Sequence, residues 1–270
     1  MLAIAIYFPA GRYHATPWGR HVNEADVEWP PSPWRLLRAL IATWHRKLDP
    51  EIHPEAVLER LVNTLSRMPP VYSLPEAVHA HTRHYMPVRE GKVDKPVLIF
   101  DAFLRLNPGE PLIVAWPEVE LDAEETALFD RLLADIGFLG RAESWVECRR
   151  LEDWNVQEAN CWVGDLAVNP ATGESLEPVR LIVALPADEY DLWRSDTLAR
   201  IDLKSFSKRK RELIEMTLPG RLIDALRLDT ADVQAAGWSR APGAREVLYH
   251  RPADALAVRR RRTVRRGHSA

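Results

Sequence analysis

The chain opens on an uninterrupted apolar run, Leu2 to Phe8, closed by Pro9 and Gly11. A short apolar run bounded by turn residues is the pattern of a buried strand. The segments after a long loop can cover it. Ser32 followed by Pro33 reads as a helix N-cap and first helical residue. From Trp34 to Leu48 the apolar residues Leu37, Leu40, Ile41, Trp44 and Leu48 recur at helical spacing, leaving Arg35, Arg38, His45 and Arg46 on the flanks. Glu55 to Met68 is a second helix with Val57, Leu58, Leu61, Val62 and Leu65 as its stripe, ended by Pro69 and Pro70.

Val97 to Leu106 and Leu112 to Trp116 read as two strands, and the turn Asn107-Pro108-Gly109 between them is a hairpin signal. Asp122 starts a third helix with Leu128, Leu132, Leu133 and Ile136 inward, stopping near Gly137 to Gly140. Glu143 to Arg149 is a short strand, with Trp145 expected in the core. This order predicts an α+β fold: a ferredoxin-like (RRM-type) βαββαβ module with an added helix and a long hairpin or loop. The central strands of such a sheet usually offer one open face to RNA.

The second half predicts a smaller, irregular α/β extension: a strand at Pro178 to Leu185, a helix over Ala187 to Leu203, a basic cluster from Lys204 to Arg211 and a short helix near Pro219 to Leu226. The expected division is 1–168 as the RNA-binding module, 169–177 as a linker, 178–254 as the extension and 255–270 as a basic tail.

The chain has 270 residues, 46% of them hydrophobic and 28% charged, so it can bury a core. Its net charge of -3 rules out a uniformly basic protein, and any nucleic-acid surface has to be a local patch. Cys148 and Cys161 have neither disulfide-framework nor zinc-ribbon spacing. The apolar opening is too short for a signal-peptide core or a membrane span. A cytoplasmic protein without membrane association is expected.

The local patch has a candidate. Residues 11 to 24 read GRYHATPWGRHVNE, in which Arg12, His14, Arg20 and His21 alternate with Tyr13 and Trp18. Guanidiniums fork onto phosphate oxygens and flat rings stack on unpaired bases. A solvated loop with locally packed aromatics has the same composition. His79, His81 and His84 in VHAHTRHYMPV do not form a ligand pattern by spacing alone. In an extended strand His79, His81, Arg83 and Tyr85 share one face and His84 takes the other. That arrangement suits RNA better than metal, although a plain surface segment also fits. Arg141 and Ser144, just past a helix end, are further phosphate donors. No P-loop, nucleophile elbow, dinucleotide fingerprint or two-metal carboxylate cluster is present, nor is an RNP1 string. No metal or cofactor is expected.

MLAIAIYFPAGRYHATPWGRHVNEADVEWPPSPWRLLRALIATWH resembles the N-terminus of the CRISPR-associated subunit of type I-G (formerly I-U) systems, in which a Cas-five-type module is fused to a Cas-six-type module. AHTRHYMPV, GRAESWVE and AGWSRAPGAREVLYHRP resemble it too. The resemblance implies a ferredoxin-like, repeat-associated protein. Its five-type half holds the 5′ handle of CRISPR RNA and caps the Cascade backbone, and its six-type half cleaves the repeat without metal. Fused members are longer, and the six-type segments have no counterpart here. Handle binding is therefore what carries over, with no catalytic residue assigned. The implied RNA contacts are Arg12, His14, Trp18, Arg20, His21, His81, Arg83, His84 and Arg141. The implied partners are the CRISPR RNA 5′ handle, the Cascade backbone and large subunits and, through the complex, target DNA. The alternatives are a metal-independent endoribonuclease that processes CRISPR repeat RNA and a protein-only scaffold.

Overall fold

A computed structural model describes residues 1–20, 26–90, 93–165, 167–170, 172–253 and 255. For residues 84, 88–90, 93–95 and 100 the description covers the backbone only. In chain order the elements are β1 (Leu2–Tyr7), β2 (Arg12–Tyr13), α1 (Pro33–Lys47), α2 (Glu55–Ser66), β3 (Val71–Ser73), β4 (Ala77–Glu90), β5 (Val93–Leu106), β6 (Leu112–Trp116) and α3 (Ala123–Asp135). They continue with β7 (Glu147–Leu151), β8 (Trp162–Val163), β9 (Leu176–Ala184), α4 (Ala187–Arg200), α5 (Lys208–Met216), α6 (Leu222–Arg227), α7 (Thr230–Ala236) and β10 (Ala244–Pro252). The fold is α+β with several antiparallel sheets.

Helix starts follow local chemistry. The Ser32 hydroxyl accepts from the Arg35 N–H, and Pro33 takes a first-turn position where no donor is needed. Asp122 and Glu125 close a reciprocal capping box at the start of α3.

The principal sheet runs β3-β6-β1-β7, every neighbour antiparallel. β1 is central: Leu2 lies opposite Trp116 on one side and Ala3 opposite Leu151 on the other. Its alternation sends Leu2, Ile4 and Ile6 into the large core with α1, α2 and α3. The opposite face is also covered. Ala3 and Ala115 are buried with Trp154 and Ala159, and Ile113, Leu151 and Trp162 pack around them. The open sheet face expected for RNA is therefore absent at these positions, because small alanines let the segment after β7 lie against the strands.

The expected hairpin across Asn107-Pro108-Gly109 does not form. β6 has both edges taken, by β1 and β3, while β5 pairs with β2 and β4. The true hairpin is β4–β5, in continuous register from Ala77 opposite Leu106 to Glu90 opposite Val93. The 107–110 turn only redirects the chain between sheets, with the Asn107 side chain accepting from the Gly109 N–H.

The third sheet, β8-β10-β9, lies against α1 through β9. The hydrophobic core is continuous from Ile4 through Leu181 and Val183 to Tyr249. The Tyr72 and Tyr249 rings meet edge to face at 5.7 Å. Both cysteines are free, and burial pushes the Cys148 thiol up to about 12, which leaves it unreactive.

Candidate functional site

The residues singled out from the sequence fall into three places. The first is a charged cluster where β2, β5 and the 140–144 loop meet. On β2, Tyr13 turns inward to Phe8 and Trp29. Arg12 turns outward, its guanidinium 4.0 Å from the centre of the Phe103 ring and 2.9 Å from the Asp101 carboxylate. Arg141 reaches the other oxygen of Asp101 at 3.2 Å. His14 is only 3% exposed. Its Nδ1 lies 2.9 Å from Glu143 Oε1 and 3.4 Å from Asp101 Oδ1.

The 140–144 loop is pinned to His14. The His14 N–H donates to Ser144 Oγ at 2.8 Å, and the Arg141 N–H donates to the His14 carbonyl at 2.9 Å. Gly140 makes this approach possible: its φ is +89°, and a Cβ there would stand 2.5 Å from the His14 oxygen.

Burial, then the Arg141 charge, lowers the His14 pKa against the opposing pull of Glu143 and Asp101. The imidazole is thus neutral near pH 7. Because a carboxylate only accepts, Nδ1 carries the proton toward Glu143. His14, Asp101 and Glu143 place their ligand-type atoms within 4.8 Å of one another. The two guanidiniums on Asp101 already supply the positive charge that a cation would bring. Asp101 and Glu143 were missed by sequence reasoning. The available signal was Asp101 itself, the lone acid in VLIFDAFLRL.

The second place is a cleft of about 560 Å³ between the 16–20 segment, α1, the 137–140 loop and α7. Trp18 and Arg20 line it. The Trp18 indole N–H donates to the Ser239 carbonyl at 3.2 Å, and Arg20 lies 3.4 Å from Asp26. Within the wall, Arg35 bonds Glu28 at 2.7 Å, and Arg38 donates to the carbonyls of Leu226 and Leu228.

The third place is the hairpin. The β4–β5 register sets His79 opposite Leu104, His81 opposite Ala102 and Tyr85 opposite Leu98, so His79, His81, Arg83 and Tyr85 share one face. Leu104 and Ala102 are buried at its base, while His81 and Arg83 are exposed and Tyr85 is 69% exposed further out. His84 lies in β4 with its backbone opposite Ile99, but its side chain is outside the described residues. His21 and residues 256–270 of the basic tail are also outside them. Trp145, expected in the core, is 61% exposed, because β7 starts only at Glu147 and Val146 takes the buried position.

Comparison with known proteins adds no identity: neither a scan against models of protein families nor a search of curated proteins finds a match. Among the described residues, no helix is long and apolar enough to cross a membrane.

Proposed function

We propose that this protein is a non-catalytic, cytoplasmic RNA-binding subunit of a type I-G Cascade-like complex, holding the 5′ handle of CRISPR RNA and capping the backbone. The observation that carries this reading is the hairpin face, where a histidine, an arginine and a tyrosine line up on an exposed strand pair. A guanidinium there grips phosphate while the phenol ring stacks on a splayed base. The sheet supports the reading. In chain order its strands lie second, third, first, fourth, with helices between first and second and between third and fourth, which follows the ferredoxin-like βαββαβ pattern. On this reading α2 is the added helix and β4–β5 is the long hairpin. Arg12 and Arg141 stand beside the hairpin base, where phosphate oxygens can compete with Asp101 for them.

The test is fluorescence anisotropy with labelled, repeat-derived handle RNA over a series of salt concentrations. Wild type should bind with a marked salt dependence. If Arg12→Ala/Arg20→Ala/Arg83→Ala leaves both affinity and salt slope unchanged, the assigned surface is wrong.

A second reading, a metal-independent repeat endoribonuclease, is favoured by the His14–Glu143 couple, a neutral imidazole oriented by a carboxylate. Its weakness is the burial of His14. Incubation with repeat RNA in EDTA separates the two: a unique cut that His14→Ala abolishes would install the nuclease.

A further inference from the structure

The geometry points to the α1 cleft as a pocket for a single nucleoside phosphate unit, either a free nucleotide or one residue of a strand. The cleft holds about 560 Å³, enough for a base, a sugar and a phosphate. Its carboxylates each face a guanidinium: Glu28 binds Arg35 and accepts from the Ser32 N–H, and Asp135 Oδ2 lies 2.7 Å from Arg131 Nε, although without hydrogen-bond geometry. Arg46 and Lys47, at the α1 end, make no ion pair recorded among the described residues. Basic residues in the last turn of a helix are common, because they complement its dipole. These two differ in bordering a cleft with an aromatic wall.

That wall is mostly apolar. Arg46 sits 5.9 Å from the centre of the Phe138 ring, and Phe138 is 37% exposed beside the cleft. Trp18 lines the cleft on the 16–20 segment. An aromatic ring can receive a base, and adjacent cations can receive its phosphate. Gln234 and Thr230 add side chains able to bond base edges. A plain anion would leave the aromatic surface unused, and an apolar ligand would leave Arg46 and Lys47 unmatched. The inference shares Trp18 with the expected handle contacts but rests on Arg46, Lys47 and Phe138, which lie outside them.

The experiment is isothermal titration of the full chain with AMP, CMP, GMP and UMP, and separately with inorganic phosphate and adenosine. At least one nucleotide should bind saturably, with phosphate and adenosine each about tenfold weaker. Arg46→Glu/Lys47→Glu and, independently, Phe138→Ser should each weaken it about tenfold, with thermal melts showing that both variants fold. Arg200→Glu, an exposed change on α4 outside the cleft lining, should leave nucleotide binding unchanged. Competition with a short single-stranded RNA identifies the source: displacement marks a residue of a strand, and its lack marks a free nucleotide. The proposal is overturned if no nucleotide saturates at millimolar concentration, or if binding survives both cleft variants. Failure of the handle-binding reading would appear separately, as handle RNA binding insensitive to the hairpin and cluster arginines.

Discussion

The cluster around His14 and the face of the β4–β5 hairpin look alike as sequence, each an alternation of arginine, histidine and an aromatic ring. Folding separates them. In the cluster both arginines meet carboxylates, and the histidine is buried and neutral near pH 7. On the hairpin, Arg83 and Tyr85 stand in the exposed part of a strand pair. Cationic and aromatic interleaving therefore marks where charge is concentrated, while burial at the cluster and exposure on the hairpin are decided by how distant segments pack. Asp101 comes from β5 and Glu143 from the 140–144 loop, yet both reach Arg12 and His14.

The comparison can be broken at the cluster. The largest expected effect is from Gly140→Ala, which combines a left-handed backbone with a Cβ placed against the His14 carbonyl. It should cost about 2 kcal/mol or more, read as a lower urea midpoint. Asp101→Asn follows. It leaves two guanidiniums sharing a neutral amide, and stability should fall by about 1–3 kcal/mol. RNA affinity should move the opposite way and rise, because Arg12 and Arg141 become available to phosphate. A variant that loses stability with unchanged RNA affinity would assign the cluster a purely structural role. Arg83→Glu should do the reverse, lowering RNA affinity about tenfold and flattening the salt slope while stability changes by less than about 0.5 kcal/mol.

The smallest effect concerns pH. The folded-state pKa of His14 lies below its unfolded value, so below about pH 6.5 the unfolded chain binds the extra proton. Stability from this group is complete above that pH and is lost as pH falls through the unfolded pKa. His45 shifts in the same direction, by burial first and then by Arg227. Urea titrations between pH 7.5 and pH 5 should show a shallower pH slope for His14→Gln than for wild type, and a flatter one still when His45→Gln is added.

Legibility in the sequence followed locality. Ser32, Pro33 and Asp122 announced their helices because caps act within one turn, and Leu2 to Phe8 announced its strand because the run is continuous. Pairing partners were opaque. Val97 to Leu106 carried the right conformation and the wrong neighbour, since a turn signal at Asn107 says that the chain reverses and not which edges are vacant. Trp145 and Trp154 show the same gap: only the packing leaves the first in solvent and lays the second over the sheet. For the site, Arg12, His14 and Arg141 could be named in advance, but Asp101 and Glu143 could not be attached to them, because the pairs are separated by 89, 129 and 40 residues in sequence.

The Arg251 guanidinium on β10 donates to the Trp29 carbonyl and binds Glu177, while the Tyr249 hydroxyl donates to the Pro70 carbonyl. The last described strand thus ties down loops that lie 179 and 222 residues earlier in the sequence. A ribosome that has made Trp29 has to add another 222 residues before the loop leading into the first helix is sealed. Until then Tyr72 and Ile182 lack part of their cover, and the nascent chain presents apolar surface to chaperones until β10 is made.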